Sequence, residues 1–371
     1  MITAYELKNR PCCRFFYKIP YFIKNLALLI LLMAILLPIY FAHFRKESLG
    51  YNTIYRLLLG LNSKTFNYLQ ANSDDALNLR PELKTVQGVG LKFKYFYTNC
   101  VTYSRACKLS DVAKSWPAHQ KWRYETDGYE YLAKKLGART TSVYVDEEAT
   151  NDEENFSSFS FKPDSVEIMK FDSEFLGKMT HNPVGMTMRD SSTELTQALG
   201  KDFIYPEFYH EYGEFDSLEF TMGQFWQDNA HYDRTDQIMC AVDGSVKIAL
   251  VPPVYRQEMQ PGKTTAYHHE IKGHEMIVQL DINESPINLF KPNFDEFVSA
   301  KNINHFYQDK LNPGDCMFIP AFYFYQVAGW AEMQPYKGDH RPAALTVSFK
   351  YKAHSRLLEA FYDAIEKGIL H

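Results

Sequence analysis

Hydrophobic and polar positions fall into three regimes along this 371-residue chain. The first is unbroken: "LALLILLMAILLPIYFAHF", residues 26–44, contains no Asp, Glu, Lys or Arg. About 20 such residues cross the ~30 Å of a bilayer's hydrocarbon as a helix, so the pattern predicts a transmembrane anchor. Phe15, Phe16, Tyr17, Tyr21 and Phe22 precede it, and Tyr40, Phe41 and Phe44 close it, one aromatic group for each membrane interface. Pro38 stands near the far end, where a lost backbone hydrogen bond is easily satisfied. The rival reading is a cleaved signal peptide, which needs a shorter apolar core and small residues at the cleavage site; "AHFRKES" fits that poorly.

The second regime is helical. In "YNTIYRLLLGLNSKTFNYL", Tyr51, Ile54, Leu58 and Leu61 recur three or four residues apart, which predicts a short amphipathic helix. "NSDDALNLRPEL" follows as loop. The third regime begins near residue 91 and consists of short strands such as "ARTTSVYV" and "SVEIMKF". In "ALTVSFKYK", Val347, Phe349 and Tyr351 share one face while Thr346, Ser348 and Lys350 share the other, because side chains alternate across a strand. "DSEFLGKM" starts a short helix with Asp172 as candidate cap. The tail "SRLLEAFYDAIEKGI" has an amphipathic helical pattern. The expected organisation is an anchor over 1–46, a juxtamembrane connector over 47–90 and a mainly β domain over 91–371 with a C-terminal helix.

Composition sharpens this picture. Hydrophobic residues make up 46% and aromatic ones 15%, enough for a packed core and too much for a disordered chain. The 26 Tyr and 27 Phe favour half-buried strands. A net charge of −5 gives no electrostatic reason to expect nucleic acid as a partner. Charge does orient the anchor: Lys8, Arg10, Arg14, Lys18 and Lys24 lead it, against Arg45, Lys46 and Arg56 behind. The N-terminus is therefore expected on the positive-inside face, with the large domain in a lumen or intermembrane space. "DEEATNDEE", residues 146–154, reads as a solvated acidic loop, and Asn155 opens a glycosylation sequon.

Six cysteines form no CxxC pair, which argues against a zinc ribbon. Cys12 and Cys13 lie beside the membrane, where acylation is the alternative to the expected free thiols. Cys100 and Cys107 are candidates for a disulfide in an oxidising compartment, but the expected state of Cys100, Cys107, Cys240 and Cys316 is that of small buried hydrophobes.

Candidate chemistry concentrates in "AHYDRTDQIMCAVDGSVKIALVPP", residues 230–253. His231 and Asp233 stand two apart, so on a strand both point to one face with Tyr232 on the other. An imidazole beside a carboxylate supplies two thirds of the 2-His-1-carboxylate set of non-haem Fe(II) oxygenases. A Gly-centred turn and an alternating strand follow. Further on, "NPGDCMFIPAFYFYQV", residues 312–327, gives a turn and then a buried strand. The cluster "HHEIKGH", with His268, His269 and His274, reads as surface histidines, as does His354; His340 lies in a loop.

Taken with "SWPAHQKW" (115–122), "YLAKKLG" (131–137) and "FTMGQFWQDNAHYD", these stretches resemble the JmjC/cupin-8 family over about residues 91–360. The resemblance implies a double-stranded β-helix and, in the family, Fe(II)- and 2-oxoglutarate-dependent hydroxylation. It also exposes two departures. Where the family places its second metal-ligating histidine, two residues before a Val, this chain has Tyr325. Where it places the lysine that holds 2-oxoglutarate, this chain has Val246. Lys247 is adjacent, but alternation sends it outward while Val246, Ile248 and Leu250 point in. A phenol, with an ordinary pKa of about 10, must lose its proton to ligate well, and an unpaired buried carboxylate costs about 3–5 kcal/mol. The expectation is a barrel with no catalytic or cofactor-binding residues, anchored in a mitochondrial inner or secretory-pathway membrane as an accessory subunit beside other membrane proteins. The alternative is a protein hydroxylase using Fe(II) and 2-oxoglutarate at an atypical His231, Asp233 and Tyr325 site.

Overall fold

The computed structural model describes residues 82–146, 165–181, 185–262, 281–331 and 342–354 apart from Tyr103 and Asn293, together with 269–271, 274–276 and a few isolated positions. The chain divides into two compact units, residues 69–356 and a second made of 1–68 with 357–371. The second is described only at isolated positions, so the predicted anchor over 26–44, the connector helix and the amphipathic tail lie outside the described residues, as do the acidic loop and Asn155. Among the described residues no helix is long and apolar enough to cross a membrane.

The larger unit is mainly β, as its alternating patterns predict. Its strands are β1 (Lys84–Gln87), β2 (Cys107–Ser110), β3 (Thr140–Asp146), β4 (Ser165–Lys170), β5 (Gly185–Asp190), β6 (Phe215–Gly223), β7 (Phe225–Gln227), β8 (His231–Tyr232), β9 (Thr235–Asp243), β10 (Ser245–Val251), β11 (His269–Ile271), β12 (His274–Met276), β13 (Tyr307–Leu311), β14 (Cys316–Ile319), β15 (Phe324–Trp330) and β16 (Ala344–Lys352). Nine of them form one sheet in the order β1-β2-β14-β9-β16-β6-β5-β3-β4. A second sheet runs β13-β10-β15-β7, with β8 also paired to β15, and β11 and β12 form a separate hairpin. Strand β1 lies inside the segment read as connector and loop; it pairs parallel with β2 and begins the sheet.

Alternation assigns each face of the large sheet a different task. Leu218, Phe220 and Met222 of β6, Ile238, Cys240 and Val242 of β9, and Leu345, Val347, Phe349 and Tyr351 of β16 pack into one core with the flanking helices. The helix Gly128–Leu136 contributes Tyr129, Leu132 and Leu136 to it, a stripe at helical spacing. Gly137, at φ 57°, ends that helix where a residue with a Cβ would be strained. Each large side chain so buried stabilises the fold by about 1.5–3 kcal/mol. The opposite face turns Met239, Ala241, Met317, Ile319 and Ala344 toward Val246, Ile248, Leu250, Tyr325 and Val327 of the smaller sheet. Between the two sheets lies the barrel interior.

Two local expectations are corrected, and one segment gains a backbone. Asp172 does not cap a helix: its carboxylate accepts from Ser173 N–H at 2.6 Å, and the helix Leu176–His181 starts after a wide turn at Phe171–Phe175. "HHEIKGH" is a β-hairpin in its described backbone, with His269 opposite Met276 and Ile271 opposite His274. The four buried cysteines are not free thiols. Cys100 bonds to Cys107, and Cys240 bonds to Cys316. The second pair is 76 residues apart in sequence but directly opposed on antiparallel β9 and β14, a proximity only the sheet order creates.

Candidate functional site

The short strand β8 and the strand β15 bring the three sequence-selected side chains together. His231 lies opposite Tyr325 in the antiparallel register. Asp233 follows one turn of alternation later, on the same side, while Tyr232 is buried on the other. The chain reaches β15 through a turn in which Phe322 takes φ 68°, uncommon for a bulky residue. Its N–H donates to the Asp233 carbonyl at 2.8 Å. That bond pins the backbone of Asp233 against the start of β15, and burial of the Phe322 ring offsets the local strain.

The Tyr325 hydroxyl stands between the other two groups. It donates to Asp233 Oδ2 at 2.7 Å and lies 3.0 Å from His231 Nε2. Gln237 Oε1 is a further acceptor at 3.2 Å. A phenol has a single hydrogen to give, and the shortest, charged acceptor takes it. His231 Nδ1 donates to the Asn229 carbonyl at 2.7 Å, which leaves Nε2 as the atom facing the phenol.

A fourth group completes the cluster. Lys350 Nζ lies 3.3 Å from Asp233 Oδ2 and 3.2 Å from Glu219 Oε2. It projects from the same face of β16 as Thr346 and Ser348, the face turned to the barrel interior. Beside the cluster Arg189 of β5 pairs with Asp228, its guanidinium 5.5 Å from the Tyr144 ring and 5.9 Å from the Trp226 ring. Lys350 and Arg189 are thus each already matched to carboxylates.

The electrostatics follow from these contacts. Burial pushes the Tyr325 phenol well above its ordinary value, and the Asp233 charge adds to that effect, so the group is a neutral donor. For Asp233 burial alone acts upward, but the Lys350 ammonium, the His231 ring and the Tyr325 hydrogen bond together hold its carboxyl below the ordinary range. For Lys350 burial acts downward and is outweighed by Glu219 and Asp233, which raise it.

These residues do not fit the family's cofactors. One imidazole, one carboxylate and a protonated phenol are not a 2-His-1-carboxylate set. The carboxylate oxygen that would face a metal instead accepts the phenol's hydrogen, and the imidazole Nε2 that would face it stands 3.0 Å from the same hydroxyl oxygen. Among the described residues no three His, Cys, Asp or Glu side chains converge to hold a metal. Nor does a 2-oxoglutarate carboxylate find its lysine: Val246 is fully buried in the apolar interior, and Lys247 turns away, 5.5 Å from the Phe290 ring. His354 is exposed, with its ring 3.2 Å from the Tyr97 hydroxyl. The side chains of His268, His269, His274 and His340 lie outside the described residues.

Lys350 and Glu219 escaped sequence reasoning. The signal was the alternation of "ALTVSFKYK", which set Lys350 apart from the apolar face; the sequence did not tell that its polar face looks inward.

Comparison with known proteins agrees with this fold. Residues 94–356 match the family described as Cupin-like domain. Lysine-specific demethylase JMJ31 of Arabidopsis thaliana is 23% identical over 264 residues, 62% of this chain and 44% of that protein. Jumonji C domain-containing protein 5 of Drosophila melanogaster is 24% identical over 242 residues, covering 62% and 53%. tRNA wybutosine-synthesizing protein 5 of Danio rerio is 31% identical over 131 residues, covering 34% and 33%. The matches span about half or less of these relatives' lengths.

Proposed function

The chain belongs to the cupin-like domain family, and on that premise we propose that it is a non-catalytic member, a membrane-anchored barrel that works by contact as an accessory subunit of a membrane complex. The carrying observation is the Tyr325 hydroxyl, 2.7 Å from Asp233 and 3.0 Å from His231. It engages the two side chains that the family offers to iron, and Val246 replaces the lysine that would hold the co-substrate. The anchor is residues 26–44, with the barrel on the lumenal or intermembrane side of a secretory-pathway or mitochondrial inner membrane. The disulfides Cys100–Cys107 and Cys240–Cys316 support that side, since such bonds persist in oxidising compartments.

A second reading keeps the chemistry. The relatives named as a demethylase and a tRNA-modifying protein favour a hydroxylase with Fe(II) at His231, Asp233 and Tyr325 and with 2-oxoglutarate as co-substrate. The two readings part on one preparation. Chain extracted in mild detergent should migrate within a large complex on a native gel, carry no stoichiometric iron and leave 2-oxoglutarate unconsumed. One iron per chain with co-substrate turnover would establish the hydroxylase, and migration as a lone 43.2 kDa chain would remove the subunit role.

A further inference from the structure

We propose that strand β4, the outer edge of the large sheet, pairs antiparallel with β4 of a second copy of this chain, so that one sheet runs on through a two-fold axis. The proposal goes beyond the reading above and does not depend on whether the barrel binds iron. β4 ends the nine-stranded order and pairs only with β3 among the described strands. One observed bond sets the direction of its backbone groups. Phe171 N–H donates to the Arg139 carbonyl at 2.9 Å, and these two residues stand opposite when the register of Thr140 against Lys170 is carried one step on. Bonded and unbonded pairs alternate along an antiparallel ladder. Met169 and Glu167 therefore bond to β3, while Lys170, Ile168 and Val166 turn their N–H and C=O groups outward. Lys170 has that parity: its N–H donates at 3.0 Å to Glu174 Oε2 rather than to β3. Among the described residues nothing meets the N–H and C=O groups of Val166 and Ile168.

The same alternation puts the side chains of Val166 and Ile168 on one face, opposite Tyr144 and Ser142. They are 55% and 68% exposed, whereas Val143 and Met169 on the other face are buried. Sheets blunt their edges with short strands, charge or proline. The far end of this sheet does so: β1 is four residues long and turns its Val86 into the core. β4 instead presents two β-branched side chains at the very residues whose backbone groups are free. A second β4 is the occupant that fits them. With Glu167 on the two-fold axis, Val166 of each copy faces Ile168 of the other, and this register satisfies the N–H and C=O of both residues in both copies. Shifting the pair until Ile168 lies on the axis would set Val166 against Lys170, whose N–H Glu174 already holds. The two Glu167 side chains that meet at the axis lie on the opposite face, each with its own Lys178 at 3.3 Å, so the like charges arrive already countered. A patch complementary to itself in this way closes as a two-fold dimer.

The test is a cross-link that reads the register. Full-length chains carrying two different tags are co-expressed, one with Val166→Cys and the other with Ile168→Cys, oxidised with diamide in unbroken cells and analysed by peptide mass spectrometry. Opposed residues of a bonded antiparallel pair have Cα atoms about 5.5 Å apart, within disulfide reach. A disulfide between positions 166 and 168 should join the two tags. Either variant expressed alone should form none, because its cysteines stand two residues out of line and beyond about 7 Å. No disulfide in the mixture, an equal yield from one variant alone, or a bond to a different protein overturns the proposal. Wild-type chains with the two tags should also co-precipitate from mild detergent. Ile168→Pro removes only an outward N–H, a change that an edge strand tolerates, and should weaken co-precipitation roughly tenfold or more. Lys178→Glu gathers four carboxylates at the axis and should weaken it likewise; Glu167→Lys in that background restores an opposite pair and should recover it. If a cysteine or proline variant fails to fold, these two charge variants decide, since both side chains are about half exposed. Co-precipitation that ignores Lys178→Glu, or does not recover with Glu167→Lys, refutes the proposal. Iron content decides the non-catalytic reading separately, so either can fail alone.

Discussion

Asp202 and Asp233 receive the same kinds of partner in two different regions of the domain. Asp202, in the loop after the helix Thr193–Leu199, accepts from Tyr131 at 2.7 Å, from Lys121 at 3.0 Å and from Trp122 Nε1 at 3.2 Å. Asp233, at the barrel mouth, accepts from Tyr325 at 2.7 Å and pairs with Lys350 at 3.3 Å. Both carboxyls lie below their ordinary range although burial acts the other way in each. Asp202 is a structural tie: its backbone carbonyl also receives Ala118 N–H, and its partners knit the segment 118–131 to the β domain. That Asp233 has the same complement, a phenol donor and an ammonium, gives a ligand-position carboxylate the surroundings of a structural one. The difference lies in the cation. Lys121 is 47% exposed and reaches in from solvent, whereas Lys350 is 19% exposed and rises from inside the barrel.

The largest effect should separate the two. Asp202→Ala leaves a buried indole N–H and a phenol without their acceptor and should cost about 3–5 kcal/mol in chemical denaturation. Asp233→Ala should cost only about 1–3 kcal/mol, because Lys350 keeps Glu219 and the Tyr325 hydroxyl can turn to Gln237. Equal losses would show that the barrel cluster is as structural as the loop tie.

Removal of the hydroxyls should reverse the order. Tyr325 is 3% exposed, so Tyr325→Phe deprives Asp233 of a charged hydrogen bond that water replaces poorly, about 1.5–3 kcal/mol. Tyr131 is only half-buried, and water can serve Asp202 after Tyr131→Phe, at about 1 kcal/mol or less. A costlier Tyr131→Phe would mean that solvent does not reach the loop.

These contrasts also mark what the sequence could tell. Strand parity was legible: His231 and Asp233 share a face, Tyr232 opposes them, and Val246 points inward with Lys247 outward. So was the frame that makes Tyr325 conspicuous, because a turn and a buried strand are local patterns. What failed was lateral. Parity says which face a residue takes, but not which strand lies beside it. Lys350 meets Glu219 and Asp233 only because β16 lies between β6 and β9, and Cys240 meets Cys316 only because β14 flanks β9. Arg189 and Asp228 are paired across the same kind of junction. The strand at 84–87 was missed because four residues carry too little alternation to stand out from loop.

The smallest effect is the pH dependence, and it tests whether the two aspartates act alike. A carboxyl whose folded value is depressed binds fewer protons in the folded state than in the unfolded one. Stability from Asp202 and Asp233 should therefore be complete above about pH 4 and be lost as pH falls further, through their folded values. Asp236 and Asp243 carry the opposite sign. Burial raises both despite their hydrogen bonds, so their folded forms hold protons longer, and their contribution declines as pH rises above about 4. On account of these four groups wild-type stability should thus rise on acidification toward pH 4, as folded Asp236 and Asp243 take up protons first, and fall below it. Asp202→Asn and Asp233→Asn should each flatten that final fall by a fraction of the ~1.4 kcal/mol per pH unit that one proton represents. Asp236→Asn should leave it unchanged and alter the slope above pH 4 instead. Denaturation curves at half-unit intervals from pH 2.5 to 6, set about the ordinary aspartate value, measure this directly. An Asp233→Asn chain with the wild-type slope below pH 4 would mean that Lys350 is committed to Glu219 rather than to Asp233, and the likeness between the two aspartates would fail at its cation.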